Sequence, residues 1–187
     1  MCSLAPNAAA GRTAASPVRR QQRPRRSLIL GAGTIAAMAL CAGQREAFLV
    51  WNASASAPVG LYRVASPGGA ERGDLVLTRP PLWAAQLAAD RGYLPLGVPL
   101  VKRIAARSGD SVCALGEDVR INGRIAARSL LRDSAGRKMP AWNGCRLLGP
   151  ADIFLLMEDV PDSFDGRYFG PVERARVLGR LVPLWTR

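Results

Sequence analysis

One uncharged apolar run near the N-terminus divides this chain of 187 residues into three parts. The run covers residues 27–43 and contains no charged side chain. As a helix it would be about 26 Å long, close to the ~30 Å hydrocarbon core of a bilayer. Residues 1–26 are rich in alanine, arginine and proline and lack apolar periodicity, which predicts a disordered tail. Residues 44–187 are long enough for one domain with its own core.

The charges around the apolar run predict its orientation. Six arginines and no acidic residue precede it. By the positive-inside rule, residues 1–26 form a cytoplasmic tail and residues 44–187 a periplasmic domain of an inner-membrane protein. Small residues at 39–43 would also permit cleavage of the run as a signal peptide. We expect an uncleaved anchor, because the residues suited to catalysis begin only about a dozen positions later.

The net charge of +12 invites a nucleic-acid interpretation. Beyond residue 26, however, 20 basic side chains are scattered among 14 acidic ones. The sequence contains no helix-turn-helix, zinc-finger or aromatic-platform motif. Attraction to anionic lipid headgroups explains the basic tail more simply. We therefore expect a membrane partner and no nucleic acid.

The domain after the run consists of short strand-like segments separated by glycine and proline. An Asn122-Gly123 pair predicts a type I′ hairpin turn. Helical spacing after two prolines predicts one helix over residues 82–91. The expected fold is mainly antiparallel β with a small helical insert. The predicted strands are residues 48–51, 60–64, 74–78, 99–107, 118–121, 124–125, 153–157 and 177–185.

Four cysteines are present, and they are too dispersed for a zinc site of the CxxC kind. Cys113 and Cys145 lie in the domain predicted to be exported, where a disulfide can form. The alternative is a pair of free, buried thiols. Cys2 and Cys41 would lie in the cytoplasm and the membrane and are expected to stay reduced.

The complete absence of histidine excludes several kinds of chemistry. It rules out a Ser-His-Asp triad, a Cys-His dyad and every metal site that needs histidine. Hydrolysis by this chain would need serine or cysteine with lysine, or carboxylates. We expect no cofactor and no metal.

Ser56 and Lys102 are the residues best suited to such chemistry. Ser56 lies in a turn-like stretch of small residues that could also be only a connection into a strand. Strand alternation places Lys102 on one face with Leu100 and Ile104, and burial there would lower the pKa of its amine. The alternative is a surface lysine whose stem covers apolar neighbours. Lys138, the other lysine, lies in a loop-like segment.

Three ordered stretches resemble the bacterial type I signal peptidases, membrane-anchored Ser–Lys endopeptidases of the S26 family. They are residues 54–62, residues 102–104 with the Gly109-Asp110 pair, and residues 163–170. The Ser-x-Pro-x-Gly-Leu-Tyr order and the single apolar run are more similar to the conjugal-transfer, TraF-type branch. Ala57 and Gly166 depart from the family, which often has methionine and serine at these positions.

The resemblance implies a role for each matching residue. Ser56 would attack the scissile carbonyl, with Lys102 as general base and later acid. Ser54 would help to stabilise the oxyanion through its hydroxyl.

The third stretch supplies the supporting residues. Ser163 would hydrogen-bond and orient the lysine, while Asp165 and Arg167 would form an ion pair that supports the site. Asp165 is also expected to be a site residue in its own right. Without the resemblance, this stretch could equally be a solvated acidic loop.

The function implied is cleavage of exported precursors after small residues, with maturation of a conjugative pilin as the specialised role. A general type I signal peptidase is the first alternative. A non-enzymatic anchored β domain of a pilus or secretion assembly is the second, and it predicts that Ser56 and Lys102 are dispensable.

Overall fold

The structure, a computed structural model, describes residues 49–187. The predicted cytoplasmic tail (1–26) and transmembrane segment (27–43) lie outside the described residues. Within residues 49–187, no helix combines the length and the apolar character needed to cross a bilayer.

The larger of two sheets has seven strands, and each neighbouring pair is antiparallel. Its spatial order is β1-β2-β11-β3-β4-β9-β10. The strands are β1 (Leu49–Asn52), β2 (Gly60–Ala65), β3 (Leu75–Thr78), β4 (Leu100–Arg107), β9 (Asp152–Leu155), β10 (Val172–Glu173) and β11 (Val177–Thr186).

The smaller sheet has four antiparallel strands in the order β7-β6-β5-β8. These are β5 (Ser111–Leu115), β6 (Asp118–Ile121), β7 (Arg124–Arg128) and β8 (Gly144–Leu147). The α-helices are α1 (Leu82–Asp90) and the four-residue α2 (Gly166–Phe169), and two short 3₁₀ turns cover Pro67–Gly69 and Arg174–Arg176. The predicted class, mainly antiparallel β with a small helical insert, is confirmed.

The core lies on both sides of β4, because this strand is buried along most of its length. On one side, Leu100 and Ile104 pack with Ala84 and Ala88, which attach α1 to the sheet. On the other, Val101 packs in a cluster with Tyr62, Leu77, Met157 and Leu181. Such two-sided burial explains why β4 reads as a nearly continuous apolar run.

The predicted helix and the predicted hairpin turn are both present in the structure. Helix α1 follows Pro81 and ends one residue before the predicted position. Asn122 and Gly123 both have positive φ, 51° and 80°, as a type I′ turn between β6 and β7 requires.

Strands β5 and β8 were not predicted. In β8 the sequence is Gly-Cys-Arg-Leu and its side chains are largely exposed, so it carries no alternating pattern. Cys113 on β5 stands directly opposite Cys145 on β8, and the structure joins their sulfur atoms in a disulfide.

Candidate active site

The connection from β1 to β2 carries two serines, and we call residues 53–59 the serine loop. Asn52 precedes the loop and Gly60 follows it, and these two residues stand opposite each other in the pairing of β1 with β2. The Oγ atoms of Ser54 and Ser56 lie 2.7 Å apart, and the Ser56 N–H donates to Ser54 Oγ at 3.2 Å. The Ser56 hydroxyl therefore has two hydrogen-bonding groups beside it. They are the Ser54 hydroxyl and the Ser56 backbone N–H.

Lys102 reaches this loop from β4. Its side chain is 3% exposed, and its Nζ donates to Ser56 Oγ and to Ser163 Oγ, each at 2.9 Å. A surface lysine is therefore excluded. The amine is held between two serine hydroxyls that come from different parts of the chain.

Burial dominates the electrostatics of this amine. Desolvation lowers the pKa of Lys102 from 10.5 to about 8, because a buried ammonium loses its hydration. The charge of Asp165 opposes this shift, Arg167 adds to it, and Asp162 opposes it. Lys102 can therefore be neutral, and so act as a base, at a pH far below that of an ordinary lysine.

A buried ion pair lies behind Ser163. Asp165 and Arg167 are 0% and 1% exposed, and Arg167 Nε donates to Asp165 Oδ1 at 2.9 Å. The carboxylate also accepts from the backbone N–H groups of Arg167 and Met157, at 3.1 and 3.0 Å. It thus caps α2 and also fixes the segment that follows β9.

The Arg167 guanidinium organises the turn that leads to Ser163. It donates to the carbonyl oxygens of Met157, Val160 and Pro161, at 2.8, 3.0 and 2.7 Å. The Ser163 N–H in turn donates to the Val160 carbonyl at 3.2 Å. The solvated-loop alternative fails for residues 163–167, because all five are buried. The guanidinium of Arg167 is planar and has five N–H donors, so it can bind these three carbonyl oxygens and Asp165 at once.

A mainly apolar groove of about 690 Å³ opens beside the two serines. Ser54, Ser56 and Ser163 line it, whereas Lys102 does not. Tyr93, Arg132 and Asp133 add polar groups to the lining, and the Tyr93 hydroxyl donates to the Asp133 carboxylate. Its apolar lining includes Val50, Leu77, Leu94, Leu100, Val101 and Val160. An extended polypeptide with apolar side chains fits this chemistry.

The structure thus brings Ser54, Ser56, Lys102 and Ser163 into one hydrogen-bonded chain and places the Asp165–Arg167 pair directly behind it. The disulfide lies in the smaller sheet, and neither cysteine lines the groove.

Sequence reasoning missed one buried polar residue of the site, Asn52. Its side chain is hydrogen-bonded to the serine loop at several points. The available signal was an asparagine two residues before a serine, a spacing typical of an Asx-turn.

Comparison with known proteins identifies the class. Residues 25–185 match the family model described as signal peptidase, peptidase S26. The chain therefore belongs to the S26 signal peptidase family.

Its curated relatives include proteins of plasmid transfer. Two proteins named plasmid transfer protein TraF, both from Escherichia coli, are 35% and 36% identical to it over 162 and 178 residues. These alignments cover 81% and 89% of this chain and 90% and 98% of the relatives. A probable conjugal transfer protein TraF from Sinorhizobium fredii is 35% identical, covering 72% of this chain and 76% of the relative.

Among solved structures, a signal peptidase I from Enterococcus faecalis is similar at 22% identity. The match covers 60% of this chain and 96% of that one, with a TM-score of 0.35.

Proposed function

We propose that this protein is a membrane-anchored serine endopeptidase that uses Ser56 and Lys102 as a catalytic dyad. The observation that carries the proposal is the buried Lys102 amine 2.9 Å from Ser56 Oγ, in a chain without histidine. Serine needs a neighbouring base to become a nucleophile, and a desolvated lysine can be that base near neutral pH.

The reaction follows from the geometry. Neutral Lys102 takes the Ser56 proton as Oγ bonds to the scissile carbonyl carbon, and the carbonyl oxygen becomes an oxyanion. When the intermediate collapses, the C–N bond breaks and the Lys102 ammonium returns its proton to the leaving amine. Water then attacks the acyl-enzyme with Lys102 again as the base, which releases the acid product and restores Ser56.

Three further groups support this sequence. The Ser54 hydroxyl and the Ser56 N–H flank Ser56 Oγ and would stabilise the oxyanion. In the free protein these two groups bond to each other, so a substrate oxygen would replace that contact. Ser163 would orient the amine, and Asp165 with Arg167 would hold Ser163 in place.

The substrate is proposed to be an exported precursor cleaved after small residues. Similarity to TraF proteins of plasmid and conjugal transfer supports a pilin precursor as the specialised substrate. The protein would act at the periplasmic face of the inner membrane, held there by the apolar run at residues 27–43.

Two substitutions test the catalytic proposal in the full-length protein in membranes. Ser56→Ala and Lys102→Ala should each reduce precursor cleavage to background while protein level and membrane location stay unchanged. Matched controls are Ser108→Ala, at an exposed serine, and Lys138→Ala, at the other lysine, and both should cleave normally. If both Ser56→Ala and Lys102→Ala still show normal cleavage, the enzymatic proposal is wrong and the protein is a non-enzymatic anchored domain.

A second experiment tests the substrate. The purified protein is given a pilin precursor and an ordinary secretory preprotein at equal concentration, and kcat/KM is measured for each. Preference for the pilin precursor supports the specialised role. Equal or better cleavage of the ordinary preprotein favours the general signal peptidase, a role that membership of the S26 family also supports.

A further inference from the structure

Asn52, the last residue of β1, lies buried at the base of the serine loop with 4% of its surface exposed. Its Nδ2 group donates to the carbonyl oxygens of Ser54, Ala57 and Pro58, at 3.0, 3.0 and 3.1 Å. Its Oδ1 accepts from the Ser54 N–H at 3.1 Å. One amide side chain therefore bonds the loop on both sides of Ser56.

Apart from Ala57, which packs in the cluster with Tyr62 and Val101, the serine loop has few other contacts that hold its backbone. The Ala57 N–H reaches the Ser54 carbonyl at 3.5 Å, a long hydrogen bond. Proline at 58 has no N–H to offer. The Tyr62 hydroxyl and the Arg187 N–H bond to the loop only at Pro58 and Val59, at its exit. Between these points, Asn52 supplies most of the hydrogen bonds that fix the path of the backbone.

The two partners of the dyad differ in how they are held. Lys102 belongs to a central strand paired on both sides, and its amine is also bonded to Ser163. Ser56 depends on the serine loop. The distance between Ser56 Oγ and Lys102 Nζ is thus set mainly by the position of the loop.

We propose that Asn52 is a positioning residue that holds Ser56 Oγ within reach of the Lys102 amine. The proposal rests on the function proposed above. Asn52 lines the groove, but its side chain hydrogen-bonds only backbone groups of the serine loop, so it acts through the loop backbone. Reaction rates are sensitive to such placement, since a displacement of about 1 Å can reduce a rate by about 10²-fold.

Asn52→Asp is the most specific test, because it preserves the shape of the side chain and the oxygen that accepts from Ser54. The ionised carboxylate cannot donate, and it faces three carbonyl oxygens. Asn52→Ala removes both functions and serves as a second variant. In the full-length protein in membranes, with a peptide that spans a pilin-precursor processing site, kcat per folded molecule should fall about 10²-fold in each. KM should stay within about twofold, because the apolar side chains that line the groove beside Asn52 are unchanged.

The pH dependence separates positioning from general loss of structure. The pH profile is measured on Asn52→Ala, because the carboxylate of Asn52→Asp would itself raise the pKa of Lys102. Lys102 remains buried in Asn52→Ala, so the acid limb of its kcat profile should stay at the wild-type pH while the plateau falls. A limb of Asn52→Ala that moves toward higher pH would mean that Lys102 has become solvated, and it would overturn the proposal. So would a plateau within threefold of the wild type.

Asn122→Asp provides a matched control. Asn122 also donates from its amide and accepts from a backbone N–H, but its partners are Asp110 and Ser111, at the start of β5 in the smaller sheet. The change sets two carboxylates against each other and should lower the melting temperature without lowering kcat per folded molecule.

Ser56→Ala shows whether a failed test concerns only the positioning role of Asn52 or the proposed function as a whole. If Ser56→Ala is inactive and Asn52→Asp is fully active, only the positioning role fails. If Ser56→Ala is active, the proposed function fails with it.

Discussion

Lys102 on β4 and Ser56 on the serine loop are separated by 46 residues in sequence, yet their Nζ and Oγ atoms lie 2.9 Å apart. The lysine approaches from the interior, whereas Ser56 lines the groove. This arrangement keeps water from the proposed base, Lys102, while leaving the proposed nucleophile, Ser56, open to a polypeptide. It also means that burial is what lowers the pKa of Lys102, with the surrounding charges modifying the effect.

The first prediction concerns the pH dependence of cleavage. In the proposed mechanism the neutral amine of Lys102 is the active form, and burial lowers its pKa to about 8. The rate should therefore rise about tenfold per pH unit below pH 7, pass its midpoint near pH 8 and level off above pH 9. Single-turnover cleavage measured from pH 6 to pH 10 checks this. A rate that is constant from pH 6 to pH 9 would contradict lysine as the base.

The second prediction is that Lys102→Met produces an inactive but more stable protein. The pKa of Lys102 is about 8 in the folded state and 10.5 when unfolded. Between these values the unfolded chain binds more protons, so this residue lowers stability most below pH 8, by about 3 kcal/mol. Methionine removes this cost and loses two hydrogen bonds of about 1 kcal/mol each. The free energy of unfolding at pH 7 should rise by about 1 kcal/mol.

Chemical unfolding at several pH values tests this. The advantage of Lys102→Met should shrink as the pH rises from 8 to 10.5, because the wild-type lysine then loses its charge in both states. Lys138→Met, at the other lysine, should leave stability within about 0.5 kcal/mol at every pH. An equal effect at both positions would show that burial of the amine is not the cause.

The third prediction concerns the guanidinium of Arg167. Lysine at this position keeps the charge but cannot donate to Asp165 and three carbonyl groups in one plane. Arg167→Lys should lower the free energy of unfolding by about 3 kcal/mol, since it breaks a buried network. It should also lower kcat, because the turn before Ser163 loses its anchor. Denaturant titration and steady-state kinetics measure the two effects.

Arg146→Lys is the matched control. Arg146 pairs with Asp152 at 3.5 Å on the surface, with 57% of the arginine side chain exposed. Exposed pairs contribute little, so this change should cost less than about 0.5 kcal/mol and leave kcat unchanged. If both arginine variants lose similar stability, the buried network does not have the assigned role.

Much of this site could be predicted from short sequence patterns, or from the residue types that the whole chain lacks. The absence of histidine leaves lysine as the candidate base, and the apolar neighbours of Lys102 on β4 predict that its side chain is buried. Turn chemistry at Asn122-Gly123 and the prolines before α1 likewise act within a few residues. These features could be predicted because their causes lie close together in the sequence.

The remaining features depend on the path of the backbone in turns and loops, or on pairing between distant strands. The guanidinium of Arg167 binds carbonyl groups, which look alike in any sequence, so its partners could not be identified without the fold. The side chain of Asn52 likewise bonds only backbone groups of the serine loop. Strand β8 became recognisable only through its pairing with β5.

The last prediction concerns Gly60, which directly follows the serine loop as the first residue of β2 and stands opposite Asn52. A Cβ at this position would collide with the Trp185 carbonyl oxygen and approach the Thr186 Cα to 2.8 Å. Both are backbone atoms of β11, so the start of β2 would have to move away from β11. Gly60→Ala should therefore cost about 1–3 kcal/mol of stability, as overpacking does. It should also lower kcat at least tenfold, since the exit of the serine loop moves with β2.

Gly69→Ala is the control, because a Cβ there meets nothing within 4 Å and needs no left-handed backbone. It should leave kcat unchanged and keep or slightly raise stability through the unfolded state. Thermal unfolding and kcat are measured for both variants on the same membrane preparation. A Gly60→Ala protein with wild-type kcat would mean that the serine loop keeps its position without the close packing of β2 on β11, leaving Asn52 as its main constraint.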